Sequence, residues 1–193
     1  MMFLKLVVGF APWLAFLAIA QGSLVRLEIG LVVALVLSIG MGLAGLQRGI
    51  IFWIGLVFFL YATVAVMAFG DMWTIRHMGV LANATLAIGA WLTLGIGRPF
   101  TLDYARQHAP PEIRNTPAFI RANIVITLVW ATTFTLDALL SWGDMENFAL
   151  PNWIYQILNY ASLLGAAAFS CWYPAWIRRR RQEHAAALQH PAP

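Results

Sequence analysis

The chain has 193 residues, of which 61% are hydrophobic and only 10% charged, and its mean hydropathy is +0.75. Folded in water, such a chain would expose large contiguous apolar patches, so a bilayer is its natural solvent. A net charge of +4 could suit nucleic acid, but the basic residues stand at the ends of apolar runs, where they set orientation and meet lipid headgroups. A nucleic-acid partner is therefore not expected.

Six apolar runs are long enough to span, at residues 3–20, 29–46, 50–69, 79–96, 124–140 and 153–176. The first opens on Lys5 and contains Pro12, which would kink a helix whose freed carbonyl found no donor. A basic start before an apolar middle also describes a secretory leader, but no small-x-small cleavage site follows, so this run is expected to stay as a helix. In the second run Ser38 and Gly42 are four apart, as are Gly40 and Ala44, giving two small-residue ridges on which another helix can pack closely. The third carries Phe52, Trp53, Phe58, Phe59 and Tyr61, bulk that suits lipid or a neighbour's small residues. The fourth contains Asn83. The sixth contains Gln156, Asn159 and the lone Cys171, which has no partner for an internal disulfide.

With the amino terminus inside, the inner side receives Lys5, Arg48, Arg98, Arg106, Arg114, Arg121 and Arg178 to Arg181, and the outer side only Arg26 and Arg76. Ten against two is a strong bias, and it places both termini and the central polar stretch in the cytoplasm of a cell with this as its inner membrane. The expected fold is thus an all-α polytopic bundle of six transmembrane helices over residues 1–181. A disordered cytoplasmic tail is expected over residues 182–193. Arg178, Arg179, Arg180 and Arg181 are expected to contact anionic headgroups, each worth about 1 kcal/mol near the surface.

The polar stretch, residues 97–123, reads GRPFTLDYARQHAPPEIRNTPAFIRAN. Gly97 releases the fourth helix, and Thr101 can cap a short helix running to Gln107. Phe100, Leu102 and Tyr104 would lie on the membrane while Asp103 and Arg106 face water, the pattern of a small interfacial helix between spans four and five. Thr116 followed by Pro117 is the start signal of the fifth helix, with Arg121 and Asn123 at headgroup level.

The run Gly97-Arg98-Pro99-Phe100-Thr101-Leu102-Asp103-Tyr104-Ala105-Arg106, followed by Arg121, Asn123, Trp130 and Phe134, resembles small uncharacterised bacterial multi-pass membrane proteins with a GRPFTL-x-YA motif. It is also distantly similar to the intracellular septation protein A family, across about residues 97–168. That family likewise leaves a span through Gly and a basic residue and enters the next through Asn, Trp and Phe. In this chain Asn123 and Trp130 are seven apart, a wider spacing. The resemblance implies a structural or partner-binding role in bacterial envelope synthesis or division, through a membrane-protein partner, and it supplies no catalytic residues.

Read on their own, the residues offer one place for chemistry. Asp137 is an ionisable group inside a span, where it is expensive and turns to protein or water. It would lie about 5 Å below the outer end of its run at ~1.5 Å per residue. Asn83, Gln156 and Asn159 fall at similar depth, so an outward-facing polar pocket of Asn83, Asp137, Gln156 and Asn159 would make the protein a small transporter or channel subunit. The competing reading has Asp137 reach the headgroups or pair with Arg76. A third class, an enzyme on lipid headgroups, would use Arg98, Asp103, Tyr104, Arg106 and His108. The four histidines lack metal-ligand or haem spacing, and no phosphate loop or catalytic triad occurs, so neither enzyme chemistry nor a metal or cofactor is expected.

Overall fold

In the computed structural model, residues 9–45, 49–106, 109–148 and 150–189 are described, without the side chains of Arg181 and residues 184–189. The described chain is all-helical. In order it forms α1 (Ala11–Ile19), α2 (Leu24–Leu43), α3 (Ile50–Thr63) running into a π-helical turn (Val64–Ala68), α4 (Met72–Arg76), α5 (Met78–Gly95), α6 (Phe100–Arg106), α7 (Pro117–Met145) and α8 (Asn152–Gln189).

Four of these, α2, α3 with its π turn, α5 and α7, are long and apolar enough to cross a membrane. The described part of the first apolar run and the sixth run fold as helices too, but neither, as described, meets that standard. The nine residues of α1 rise only about 14 Å, and residues 1–8 before it lie outside the described chain. α8 has ample length, but Gln156, Asn159 and the arginines beyond Trp176 dilute its apolar character. Pro12 does not kink α1, because it stands in the first turn, where no helical carbonyl awaits its missing N–H. Of the carboxyl-terminal tail, residues 182–189 continue α8 through an alanine-rich stretch of high helix propensity, and residues 190–193 lie outside the described chain.

The helix starts follow local chemistry. The Arg26 amide donates to Ser23 Oγ at 3.3 Å at the head of α2, and the Phe119 amide donates to Thr116 Oγ1 at 3.3 Å ahead of Pro117. Asp71 caps α4 by accepting from the Trp73 amide at 3.1 Å and the Thr74 hydroxyl at 2.7 Å. The Thr74 bond is the main reason its carboxyl titrates below the ordinary range.

Consecutive helices pack as neighbours, and the most extensive contact joins α5 to α7. One aromatic cluster fills the middle. Trp13 stacks on Phe58 at 5.2 Å, Phe10 stacks on Trp130 at 5.7 Å, and Phe10 meets the edge of Phe100 at 6.0 Å. Of the two small-residue ridges on α2, the one through Ser38 and Gly42 is used internally: a Cβ on Gly42 would come within 2.6 Å of the Phe52 ring. Gly40, on the other ridge, has open space before it. The bulk of α3 divides, with Phe52, Phe58 and Phe59 buried and Trp53 outward. Val36, Trp53, Val57, Ile88, Leu139 and Leu164 are among the large apolar side chains left exposed around the bundle, as a lipid-facing belt requires.

The two ends of the bundle are marked by contacts between distant segments. At one end Gly49, which leads into α3, lies against Asp103 of α6, with a built Cβ 3.0 Å from Asp103 Oδ2. At the other, Arg76 pairs with Glu146 at 3.3 Å, an exposed pair of small energetic value.

Candidate polar site between α5, α7 and α8

α7 and α8 run antiparallel in a register fixed by three contacts. Gly143 lies under the Tyr155 ring, Asp137 accepts a hydrogen bond from Ser162, and the Trp130 indole N–H donates to Ser170 Oγ at 2.9 Å. The α8 positions that meet α7 are therefore Tyr155, Asn159, Ser162, Ala166 and Ser170, spaced by three or four as one helix face demands.

Asp137 is 1% exposed. Its Oδ1 takes the Ser162 hydroxyl, while Oδ2 is buried with no hydrogen-bond partner. The Ser162 hydroxyl also lies 2.7 Å from the Asn159 carbonyl, and the Asn159 side-chain oxygen is a second buried acceptor with no donor. From α5, the Asn83 amide donates to Gly79 O at 3.1 Å and Ser141 Oγ at 3.2 Å and reaches the Asp137 carbonyl at 3.5 Å. Such a partly satisfied network is costly in a dry interior.

Asn83, Asp137 and Asn159 thus converge as their depths predict, but Gln156 does not join them: it is exposed, a quarter-turn round α8 from the α7-facing residues. Arg76 is engaged by Glu146, not by Asp137. Because α7 continues to Met145, Asp137 stands about 12 Å below the helix end rather than about 5 Å. Ser162 was missed from sequence, although its i, i+3 spacing from Asn159 places the two on one face.

Asn83 also borders a cavity of about 370 Å³ between α1, α5, α7 and α8. Its other walls are apolar and aromatic, including Trp13, Leu17, Trp130, Phe134 and Leu163. Phe134 and Leu163 lie within a turn of Asp137 and Ser162, so the polar cluster stands directly behind one end of this space. A second, shallower groove of about 410 Å³ lies between α3 and α5, among Trp53, Val57, Tyr61 and Thr85.

The central motif folds otherwise than expected. Gly97, at φ +71°, ends α5 in the left-handed region, and the Arg98 amide returns to the Thr93 carbonyl at 2.9 Å. Pro99, Phe100, Thr101, Leu102 and Ala105 are buried, so this face of α6 is tucked into the end of the bundle against α7. Thr101 caps nothing. Its hydroxyl donates to the Asn123 carbonyl of α7 at 3.0 Å and shares a 2.8 Å hydrogen bond with the Thr127 hydroxyl, and the amide of Phe100 is held instead by Thr93 Oγ1 at 3.3 Å. Asn123, 3% exposed, is likewise inside the protein rather than at headgroups. Arg98 and Asp103 are exposed, Arg106 bonds Asn115 at 3.3 Å, and His108 lies outside the described residues. The buried residues of the motif seat α6 against α7, while Arg98 and Arg106 lie close enough to Asp103 to act on its carboxyl.

Partial desolvation of its carboxyl, on a residue otherwise exposed, pushes Asp103 above its ordinary range, with Arg106 and Arg98 opposing. Burial, reinforced by the Asp103 charge, pushes the Tyr104 phenol up to about 12. The folded state therefore holds that proton more tightly than the unfolded chain, so this contribution to stability is complete below about pH 10 and disappears as pH climbs to about 12. Melting curves across that window should show Tyr104→Phe losing less stability than the native protein; equal losses would mean the phenol is not in a dry site.

At the far end of α8, Arg178, Arg179 and Arg180 are exposed, and the Arg180 guanidinium sits 4.9 Å from the Trp176 ring. His77 stacks on Trp73 at 4.3 Å. Among the described residues no three His, Cys, Asp or Glu side chains gather as a metal site would require. Compared with protein-family models, with curated proteins and with solved structures, the chain matches none.

Proposed function

We propose that the protein is a small transporter or channel subunit of a bacterial inner membrane, with six crossings and both termini cytoplasmic, that takes an amphipathic solute into the cavity beside Asp137. The orientation is supported by the ten-to-two division of basic residues, with α6 at the inner end and the Arg76–Glu146 pair at the outer one. The observation that carries the function is Asp137 itself: a carboxylate 1% exposed, half unpartnered, beside a cavity of about 370 Å³. Aromatic and aliphatic walls with one polar residue at an end suit a molecule with an apolar body and a single hydrogen-bonding head.

The test is to fill the cavity. Native mass spectrometry of the protein purified in mild detergent should find a small amphiphile retained by the native chain and lost from Leu163→Trp, which projects an indole into the space. Equal retention by both would defeat the reading. The Gly40 ridge of α2, with open space in front of it, supports a second reading, a partner-binding envelope component like the septation proteins. Under it, Gly40→Leu would release a crosslinked membrane protein and leave the amphiphile bound.

A further inference from the structure

Beyond Asp137 the α7–α8 seam continues toward the Arg76–Glu146 end of the bundle. Asp144 lies two helical turns further along the same face of α7, and its Oδ1 is a third buried acceptor with no donor. Gly143 opposes Tyr155 and Asp137 opposes Ser162, so Asn159 falls between the two carboxylates. Three orphaned acceptor oxygens, from Asp144, Asn159 and Asp137, therefore follow one another inward along a single interface. The other groups facing them are Asn83 and Gly79 from α5, Ser141 from α7, and Tyr155 and Ser162 from α8. None is cationic, and the guanidinium of Arg76 at this end of the bundle is held by Glu146.

We infer that this seam is the entry path and binding site of a small hard cation, hydronium or Na⁺, which passes Asp144 and Asn159 and stops at Asp137. Buried acceptors without donors need a positively charged or donating guest, and oxygen-only ligands select a hard one. Among the described residues no three acidic or imidazole side chains gather here, which suits a single charge better than a divalent metal. The inference rests on the reading of Asp137 as a functional group, and it adds the identity of what enters: a cation by the seam, while the amphiphile occupies the apolar cavity on the other side of Asn83.

The experiment is thermal unfolding of the purified protein, followed by tryptophan fluorescence, in NaCl against choline chloride at equal ionic strength, in mildly acidic and mildly alkaline buffer. A melting temperature raised by Na⁺ identifies that ion; one raised by acid in choline identifies the proton. Asp137→Asn should abolish the effect, and Asp144→Asn should shift its half-saturating concentration, or its midpoint pH, by about tenfold or one unit. Leu163→Trp should leave the cation effect intact, so failure of the cavity reading is seen separately. No response to either cation, or a response that survives Asp137→Asn, overturns the inference.

Discussion

Truncating Trp130 to alanine should cost about 3–5 kcal/mol of folding stability, the range for removing a buried indole. Trp130 is 7% exposed, stacks on Phe10 and touches Phe134 with ring centroids 5.3 Å apart. It also ties α7 to α8 through the bond to Ser170, and it walls the cavity that its loss would enlarge. Because lipid is as apolar as the core, what the variant loses is close packing rather than shelter from water. Trp130→Phe separates the two contributions, since it keeps most of the stacking and drops the hydrogen bond, worth about 1 kcal/mol. Unfolding in detergent should rank native, Phe and Ala in that order. An alanine variant within 1 kcal/mol of native, on the scale of that one hydrogen bond, would mean that Phe10 and α8 are held elsewhere.

Asp137→Asn carries the second large effect, and its sign is unusual for a buried residue. A carboxylate oxygen left without a donor costs on the order of 1–3 kcal/mol. Ser162, the group that binds the other oxygen, has the Asn159 carbonyl to turn to if Asp137 is changed. The asparagine variant should therefore melt at or above the native temperature while losing its response to cations. That combination marks a group kept for function at the expense of stability. A drop of more than about 2 kcal/mol, the middle of the same range, would make Asp137 a structural tie between α7 and α8.

The helices could be read from sequence because apolar runs bounded by Gly, Pro and capping residues have few alternatives in a bilayer. Thr116-Pro117 is the clearest instance, since the chain does start a helix there. The position of α6 could not be read. Phe100, Leu102 and Ala105 make an apolar stripe that suits a lipid surface and a protein groove equally, and only the Thr101 bonds into α7 decide between them. Asp137 was legible as an expensive charge, and Asn83 and Asn159 as polar groups at its depth. Ser162 was not, because a serine in an apolar helix usually satisfies itself on its own backbone. Gln156 misled because depth along a helix does not fix which face a residue occupies; three positions from Asn159, it still faces outward.

The contacts of Phe10 with Phe100, Trp130 and Phe134 have a bearing on biosynthesis. The residue is translated well before its neighbours in α6 and α7. α1 must therefore wait until α6 and α7 arrive to enclose it. An element made before its partners is among the last to be locked in place.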